Sequence, residues 1–548
     1  MRDYQRIEPA HAFAYQNVFA LLESRARLHP DQLFVTSLFQ DVEERYTYGE
    51  FVRRVAMARS FLRAKGLIRG DAVNLIIQNS ADFLILYFAA LSLGVVVSPI
   101  NYNFTAREMS YIVKDSRGRM LFAEEEYLPR VEAIGRELGV APEVVVLSRN
   151  PASGPYPRLS DVLEEHAAAG ERLEALAAES SGVELQDRAV IIYTSGTSGY
   201  PKGAILTHAN LLADAQAIAE WFGWDRSTRT LCILPLFHNN GQVVTLLAPL
   251  WAGGSTVMVK GNISLAAFWD LVGRYEANWT SVIPTILSVL LAFKGKRTGH
   301  GLRGIVCGGA LLPKRVQLDF ETTFGVPIFE GYGLTETTSF SCFNPLDVER
   351  RTIGSIGLPL PVNEMAILDE DGHLLPPGEV GEICIRGFNV FLEYCNLPER
   401  NEKAFRGGWF HSGDYGSRDE RGFYYIQGRK DDLIIKGGEN IYPREIENVL
   451  YGHPKVKDCA VVGVEHRLWG ETLVAFVETV DGQPMTAAEV EGFLKNRIAD
   501  YKLPSECYFL RDLPDLPEIP KGPTKKLLRT ELRKYYDAHL RQAARREG

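Results

Sequence analysis

Tyr193-Thr-Ser-Gly-Thr-Ser-Gly-Tyr-Pro-Lys-Gly-Ala204 is the stretch on which the reading of this chain turns. The run before it, Ala189–Thr194, is apolar and β-branched, and helical periodicity spans Thr207–Phe222 after it. The stretch is therefore expected to lead from a strand into a helix opening near Thr207. Its glycines let backbone N–H groups turn inward, and the hydroxyls of Thr194, Ser195, Thr197 and Ser198 add donors. Such a loop can wrap an oxyanion such as a phosphate, and Lys202 adds positive charge. The spacing Gly-x-x-x-x-Gly-Lys-Ser/Thr is absent, so this is not a Walker A loop.

Working outward, short β-branched runs alternate with helical stretches: Val73–Ile77, Val95–Ile100, Leu231–Leu234, Ser255–Val259, Thr280–Ile283, Gly304–Cys307 and Pro327–Phe329. Thr207–Phe222 and Leu265–Tyr275 are expected helices. That alternation predicts parallel sheets covered on both faces. The apolar run Leu84–Val97 is broken by Ser92 and Gly94 and stopped by Pro99, so it reads as a buried helix entering a strand and not as a membrane span. The Ala/Glu-rich stretch 163–180 reads as an exposed helix. From about Gly354 to Tyr425, Gly and Pro turns crowd close-set strands (Ala366–Leu368, Glu382–Arg386, Tyr424–Gln427), as in a small antiparallel or barrel-like unit. The polar stretch Gly428–Asp432 then separates two apolar ones, which places a domain boundary near Lys430–Asp432. A compact pattern follows: helix Arg444–Tyr451, strands Val456–Val464 and Leu473–Glu478, helix Ala487–Arg497.

With 548 residues the chain exceeds a single core, so at least two domains are expected. The net charge of −9 argues against general nucleic-acid binding. The basic residues of the C-terminal stretch (Lys521, Lys525, Lys526, Arg529, Arg533, Lys534, Arg541, Arg545, Arg546) read first as a solvated helix face and second as a patch for a phosphorylated ligand. Seven scattered cysteines, an odd number with no Cys-x-x-Cys, argue against a disulfide framework and a zinc site and suit a reducing cytoplasm. The N-terminus lacks the apolar core of a signal peptide.

Further motifs stand in order downstream: Leu234-Pro-Leu-Phe-His-Asn-Asn-Gly241, Cys307-Gly-Gly-Ala310, Gly331-Tyr-Gly-Leu-Thr-Glu-Thr-Thr338, Trp409-Phe-His-Ser-Gly-Asp414, Gly428-Arg-Lys-Asp-Asp432, Lys436-Gly-Gly-Glu-Asn-Ile-Tyr-Pro443 and Ile519-Pro-Lys-Gly-Pro-Thr-Lys-Lys-Leu527. Taken with Tyr193–Ala204, the series resembles the adenylate-forming superfamily of acyl-CoA synthetases, stand-alone adenylation domains and firefly-type luciferases, over nearly the whole chain. The resemblance implies an α/β protein. Residues 1–429 would form a large AMP-binding domain of two doubly wound αβ subdomains and a small β-barrel-like one; 430–432 would be a hinge, with Lys430 and Asp431 at the pivot; 433–548 would form a small mobile α+β lid.

The same resemblance implies roles. ATP or AMP would be held by Thr194, Ser195, Gly196, Thr197, Ser198, Gly199, Lys202, Gly309, Ala310, Glu330, Gly331, Tyr332, Gly333, Thr335, Asp414, Ile426, Arg429 and Lys526. Tyr332 would stack on adenine, Thr335 would contact the α-phosphate, Asp414 and Arg429 would take the ribose, and Mg²⁺ would fall to Glu336 and Thr197. Lys526 would be the catalytic lysine, although Lys525 stands where the family usually has Gly; Thr335, Glu336 and His238 would complete the catalytic group. Phe237, His238, Asn239, Asn240, Thr285, Gly308, Gly309 and Ser339 would wall the acyl pocket, with the two asparagines favouring a short or polar acid, and Arg350 and Arg351 read as surface arginines. Lys436, Gly437 and Gly438 would border the CoA arm. The implied activity is acid–CoA ligation from ATP, CoA and a small carboxylic acid, without nucleic acid, and compatible with a homodimer; the alternative is loading of a carrier protein.

Overall fold

The computed structural model describes residues 13–39, 42–139, 142–148, 156–168, 182–194, 201–261, 265–293, 301–310, 312–480, 483–495, 497–522 and 527–541. Among them two large sheets carry the body of the chain. One is nine-stranded, in the order Leu358–Pro359, Cys342–Phe343, Ile328–Tyr332, Gly304–Cys307, Trp279–Val282, Arg229–Cys232, Ser255–Val259, Leu33–Phe39, Val42–Thr47. Its six inner strands, from Ile328–Tyr332 to Leu33–Phe39, are parallel, and the edges are antiparallel. The other is seven-stranded: Glu393–Tyr394, Lys202–Thr207, Arg188–Thr194, Val96–Pro99, Ala72–Ile76, Gly118–Glu124, Glu143–Leu147.

The helices Val18–Leu28, Tyr48–Ala64, Ala81–Ser92 and His208–Trp221 share one apolar core with strands of both sheets, so Phe34 and Val73 belong to the same cluster as Phe51 and Phe83. Every position of Ala81–Ser92 except Asp82 is buried, as its largely apolar composition requires, and Ser80 caps its first turn. No helix of the described residues is long and apolar enough to cross a membrane. All seven cysteines are free thiols.

Asn363–Leu368, Gly381–Gly387, Trp409–Arg418, Phe405–Arg406 and Tyr424–Arg429 form the small antiparallel unit. A separate sheet follows, in which Glu439–Ile441, Ile434–Lys436, Gly470–Thr479 and Val456–His466 pair in sequence and Glu506–Phe509 adds to Gly470–Thr479 in parallel. Helices Pro443–Leu450 and Ala487–Leu494 cover one of its faces, and Arg529–Tyr535 the other.

Three expectations are sharpened or only partly met. The helix opens where expected, as His208–Trp221 capped by Thr207, but the segment before it was not foreseen as a strand: Lys202–Thr207 runs antiparallel to Arg188–Thr194, with Thr194 opposite Lys202. Gly203–Leu206 is apolar and buried, and pairing on both of its edges overrides any local helical preference. Leu265–Tyr275 divides into a 3₁₀ turn, Leu265–Ala267, and a helix, Phe268–Arg274. Of the Ala/Glu-rich stretch, the helix Leu159–Glu165 covers the start, and 169–181 lie outside the described residues.

Candidate active site

Open α/β sheets bind ligands outside the carboxyl ends of their parallel strands. Here Thr194, Cys307 and Tyr332 end such strands, Leu234–His238 follows another, and the motifs therefore gather on one side of both large sheets. Ser195, Gly196, Thr197, Ser198, Gly199 and Lys526 lie outside the described residues.

The turn after Tyr332 is built by contact. A side chain at Gly333 would place its Cβ 1.7 Å from the Ser339 carbonyl oxygen, so only glycine lets the chain fold back there. Thr335–Thr337 make a 3₁₀ turn whose start is closed by Leu334 N–H donating to Thr337 Oγ1 at 2.9 Å. Thr338 then sits at φ 65°, a position that costs a β-branched residue on the order of 1–3 kcal/mol. Two contacts hold it: Thr338 Oγ1 donates to the Asn389 carbonyl at 2.6 Å, and Asn239 Nδ2 donates to the Thr338 carbonyl. Thr335 and Glu336 are half-buried, presented on the open side of this turn.

Tyr332, Asp414 and Arg429 form one linked group. The Tyr332 hydroxyl donates to Asp414 Oδ2 at 2.7 Å, and Arg429 Nε lies 3.2 Å from Asp414 Oδ1. Burial and the Asp414 carboxylate push the Tyr332 phenol well up, which keeps it a donor. Asp414 is itself aimed by a turn in which Glu382 Oε1 accepts from Gly413 N–H at 2.9 Å. Ile426 is half-buried on the neighbouring strand. A second group lies beside the first. Tyr394 donates from its hydroxyl to Glu336 Oε1 at 2.7 Å, and Lys202 Nζ stands 5.0 Å from the Tyr394 ring centroid. Burial lowers the Lys202 ammonium; the Glu336 carboxylate opposes that, and Arg400 and Arg429 add to it. Glu330, beneath the turn, is 4 % exposed, and burial pushes its carboxyl up to about 8 against the pull of Arg444. Glu330 Oε2 and Arg444 Nε are both buried without a hydrogen-bond partner among the described residues.

Of the expected acyl-pocket residues, Phe237 is buried and its ring lies 4.5 Å from that of half-buried His238. Gly308 lies under Phe340, whose ring would be 2.5 Å from an added Cβ, while Gly309 and Ala310 are exposed. Ser339 is buried, Thr285 half-buried in the first turn of the helix Pro284–Ala292. Asn239 spends its amide on the main chain of the Thr335–Thr338 turn, and so acts on that turn and not as a donor to an acid. Asn240 is half-buried.

Arg351 is no surface arginine. Its side chain is 5 % exposed, paired with Glu321 at 2.7 Å and set against the Phe329 ring. The basic C-terminal stretch is not wholly a solvated face either: Arg529 is half-buried, gripping both Glu447 oxygens at 2.7 Å and Asp432 Oδ2 at 2.7 Å. Lys430 and Asp431 are exposed in a 3₁₀ turn, with Lys430 Nζ 3.3 Å from Glu370. Gly437 and Gly438 form the exposed tip of the hairpin Ile434–Ile441 at φ 63° and 90°, and Lys436 Nζ donates to the Tyr501 carbonyl at 2.9 Å. Tyr394, Arg400, Arg444 and Glu382 went unread in the sequence; none lies in a motif of obvious chemistry, and only pairing between distant segments brings them here.

The family model for the AMP-binding enzyme matches residues 22–395, and that for the AMP-binding enzyme C-terminal domain matches 445–518. A sulfoacetate–CoA ligase of Cupriavidus necator is 34% identical over 96% of this chain and 99% of its own length. An oxalate–CoA ligase of Arabidopsis thaliana is 33% identical over 90% and 95%. An anthranilate–CoA ligase solved with anthranoyl-AMP superposes with a TM-score of 0.85 at 26% identity, covering 97% of this chain and 99% of that one. ATP-bound MatB of Rhodopseudomonas palustris gives 0.81 at 29%, covering 95% and 99%. The chain belongs to the AMP-binding enzyme family, within its acid–CoA ligase branch.

Proposed function

We propose that the chain joins a carboxylic acid to CoA in two steps, through an acyl-adenylate, with release of diphosphate and then AMP. The observation that carries this reading is the adjacency of the Tyr332–Asp414–Arg429 group to the Glu336–Tyr394–Lys202 group. One offers acceptors and a cation to a ribose; the other offers a cation and a carboxylate to a triphosphate.

In the first step the carboxylate attacks the α-phosphorus and diphosphate leaves. Phosphoryl chemistry of this kind asks the protein for positioning and charge, not for a covalent partner. Asp414 accepts from the ribose hydroxyls while Tyr332 and Arg429 fix its orientation. Thr335 contacts the α-phosphate and Lys202 balances charge at the leaving end. His238 and Phe237 gate the acid. Lys526 bridges the acid and the phosphate oxygens. Magnesium fits the hard carboxylate oxygens of Glu336, with Thr197 as the second expected ligand, and when bound supplies charge neutralisation on the phosphates.

In the second step the lid turns about Asp431, Lys526 withdraws, and the Gly437–Gly438 hairpin takes its place to border the CoA arm. The thiol sulfur bonds to the acyl carbon and AMP departs.

ATP–diphosphate exchange with a panel that includes sulfoacetate, oxalate and anthranilate tests the first step; AMP release on adding CoA tests the second. Acid-dependent exchange with CoA-dependent release is expected. Exchange that CoA leaves unreleased but a carrier protein discharges would replace CoA as the acceptor, and absence of exchange across the panel would overturn the reading.

A further inference from the structure

We propose that Tyr394 is a positioning residue that joins the metal side and the phosphate side of the site into one unit. The inference rests on the roles given above to Glu336 and Lys202. Two segments distant in sequence meet at this phenol, and a near one holds its main chain. Its hydroxyl donates to Glu336 Oε1 at 2.7 Å, its ring lies 5.0 Å from Lys202 Nζ, and its main chain is clamped by Asn401. The clamp is double: Tyr394 N–H donates to Asn401 Oδ1 at 2.7 Å, and Asn401 Nδ2 donates to the Tyr394 carbonyl at 3.0 Å. Glu393–Tyr394 pairs antiparallel with Lys202–Thr207, Tyr394 opposite Ala204, and Cys395 N–H donates to the Gly203 carbonyl at 2.7 Å. The strand carrying Lys202 is thereby tied to the residue that holds Glu336. Phe391, three residues earlier, closes the link from the other side, its N–H donating to the Glu336 carbonyl at 2.9 Å.

The chemistry suits a permanent donor. Tyr394 is 6 % exposed, and its hydroxyl faces the Glu336 carboxylate as a donor at 2.7 Å. A carboxylate has about four acceptor sites. Filling one with a fixed phenol locks the rotamer and leaves acceptor capacity for a hard cation. The ring face draws Lys202 by a cation–π contact, which orients a half-buried ammonium that burial would otherwise disfavour. Arg400, in the helix Pro398–Ala404 next to Asn401, raises the positive potential around the same ring.

Tyr394→Phe keeps the ring and deletes the hydroxyl. In diphosphate exchange it is expected to raise the Mg²⁺ concentration for half-maximal rate about tenfold to a hundredfold, the range set by losing a hydrogen bond to a charge. Thioester formation from supplied acyl-adenylate is expected to be unchanged. Calorimetry with Mn²⁺ and α,β-methylene-ATP reads the same effect without turnover: affinity falls in the presence of metal and not in its absence. Tyr394→Leu, which also removes the ring, is expected to weaken nucleotide binding with or without metal; if it fails to fold, Tyr394→Phe alone decides. In Glu336→Gln, adding Tyr394→Phe should change metal dependence no further. An unchanged metal requirement, or equal loss in both half-reactions, overturns the proposal. Metal-dependent binding without exchange for any acid would strike the ligase reading alone, because the calorimetric comparison still decides Tyr394.

Discussion

Glu330 is buried in the strand Ile328–Tyr332 with its carboxyl raised from an ordinary 4.5 to about 8 by burial, opposed in part by Arg444. A carboxyl whose folded value is raised contributes stability that is fully present below its ordinary range and is lost as pH climbs to the folded value. Glu330→Gln carries no charge to bury. The difference in unfolding free energy between this variant and the parent is therefore expected to grow in favour of the variant from about pH 5 to about pH 8 and then level off, by a few kcal/mol in all, with Tm shifting in the same direction. Calorimetric scans across that range check it, and a difference that ignores pH would contradict it. Lys526→Ala tests the other end of the mechanism. Exchange should fall by about 10²–10³, the usual cost of one electrostatic contact to a transition state, while thioester formation from supplied acyl-adenylate survives. Equal loss of both would remove Lys526 from the first step. At this scale the motif residues are legible because each carries its chemistry in its side chain. Asn239 and Arg351 were misread for the same reason: side-chain type says what a group can bond, not which of its neighbours it meets. Asn239 met a carbonyl in its own site, and Arg351 met Glu321.

Strands and helices followed from patterning where the pattern was long. Ser255–Val259 and Gly304–Cys307 form where expected, and the buried run Ala81–Ser92 enters the strand Val96–Pro99 as its composition implies. The hairpin at the phosphate loop was missed. Lys202–Thr207 is six residues long, and whether so short an apolar run pairs or coils depends on what flanks it in space. Here Arg188–Thr194 and Glu393–Tyr394 take its two edges. The consequence is functional, because a hairpin holds Lys202 opposite Thr194 across the ladder. The turn at Gly333 makes a matching prediction. An added methyl would meet the Ser339 carbonyl at 1.7 Å, and that is backbone that cannot swing aside. Gly333→Ala should cost about 1–3 kcal/mol or more and weaken ATP binding, read as a lower Tm and a higher KM for ATP in exchange. A variant with parental values on both counts would show that the turn yields.

For the molecule as a whole, the proposed cycle needs the last sheet to change its placement on the rest. Arg529 bears on this, since it binds Glu447 of that sheet's covering helix and Asp432 beside the proposed pivot, tying the C-terminal helix to the start of the lid. Asp431→Pro would restrict the backbone torsions on which a pivot depends. Exchange is expected to continue and CoA-dependent AMP release to fall at least about tenfold; loss of both would mean that the residue serves the first step or the fold. Position in the fold also separates the two glycine-rich motifs. The Gly437–Gly438 tip is exposed at the end of a hairpin, while Thr194, Cys307 and Tyr332 end strands of the two large sheets.

The sequence alone determined the alternation of strands and helices, the separate C-terminal αβ pattern, and the ordered motifs from Thr194 to Lys526, because periodicity and side-chain chemistry are local properties. Tertiary structure decided which of those groups face one another. Tyr332 and Asp414 are 82 residues apart, and Glu336 and Tyr394 are 58 apart, yet each pair is joined by a 2.7 Å hydrogen bond. Such bonds form only after separate sheets have packed, since the loop entropy they close is offset by burial across the whole core and by no single motif.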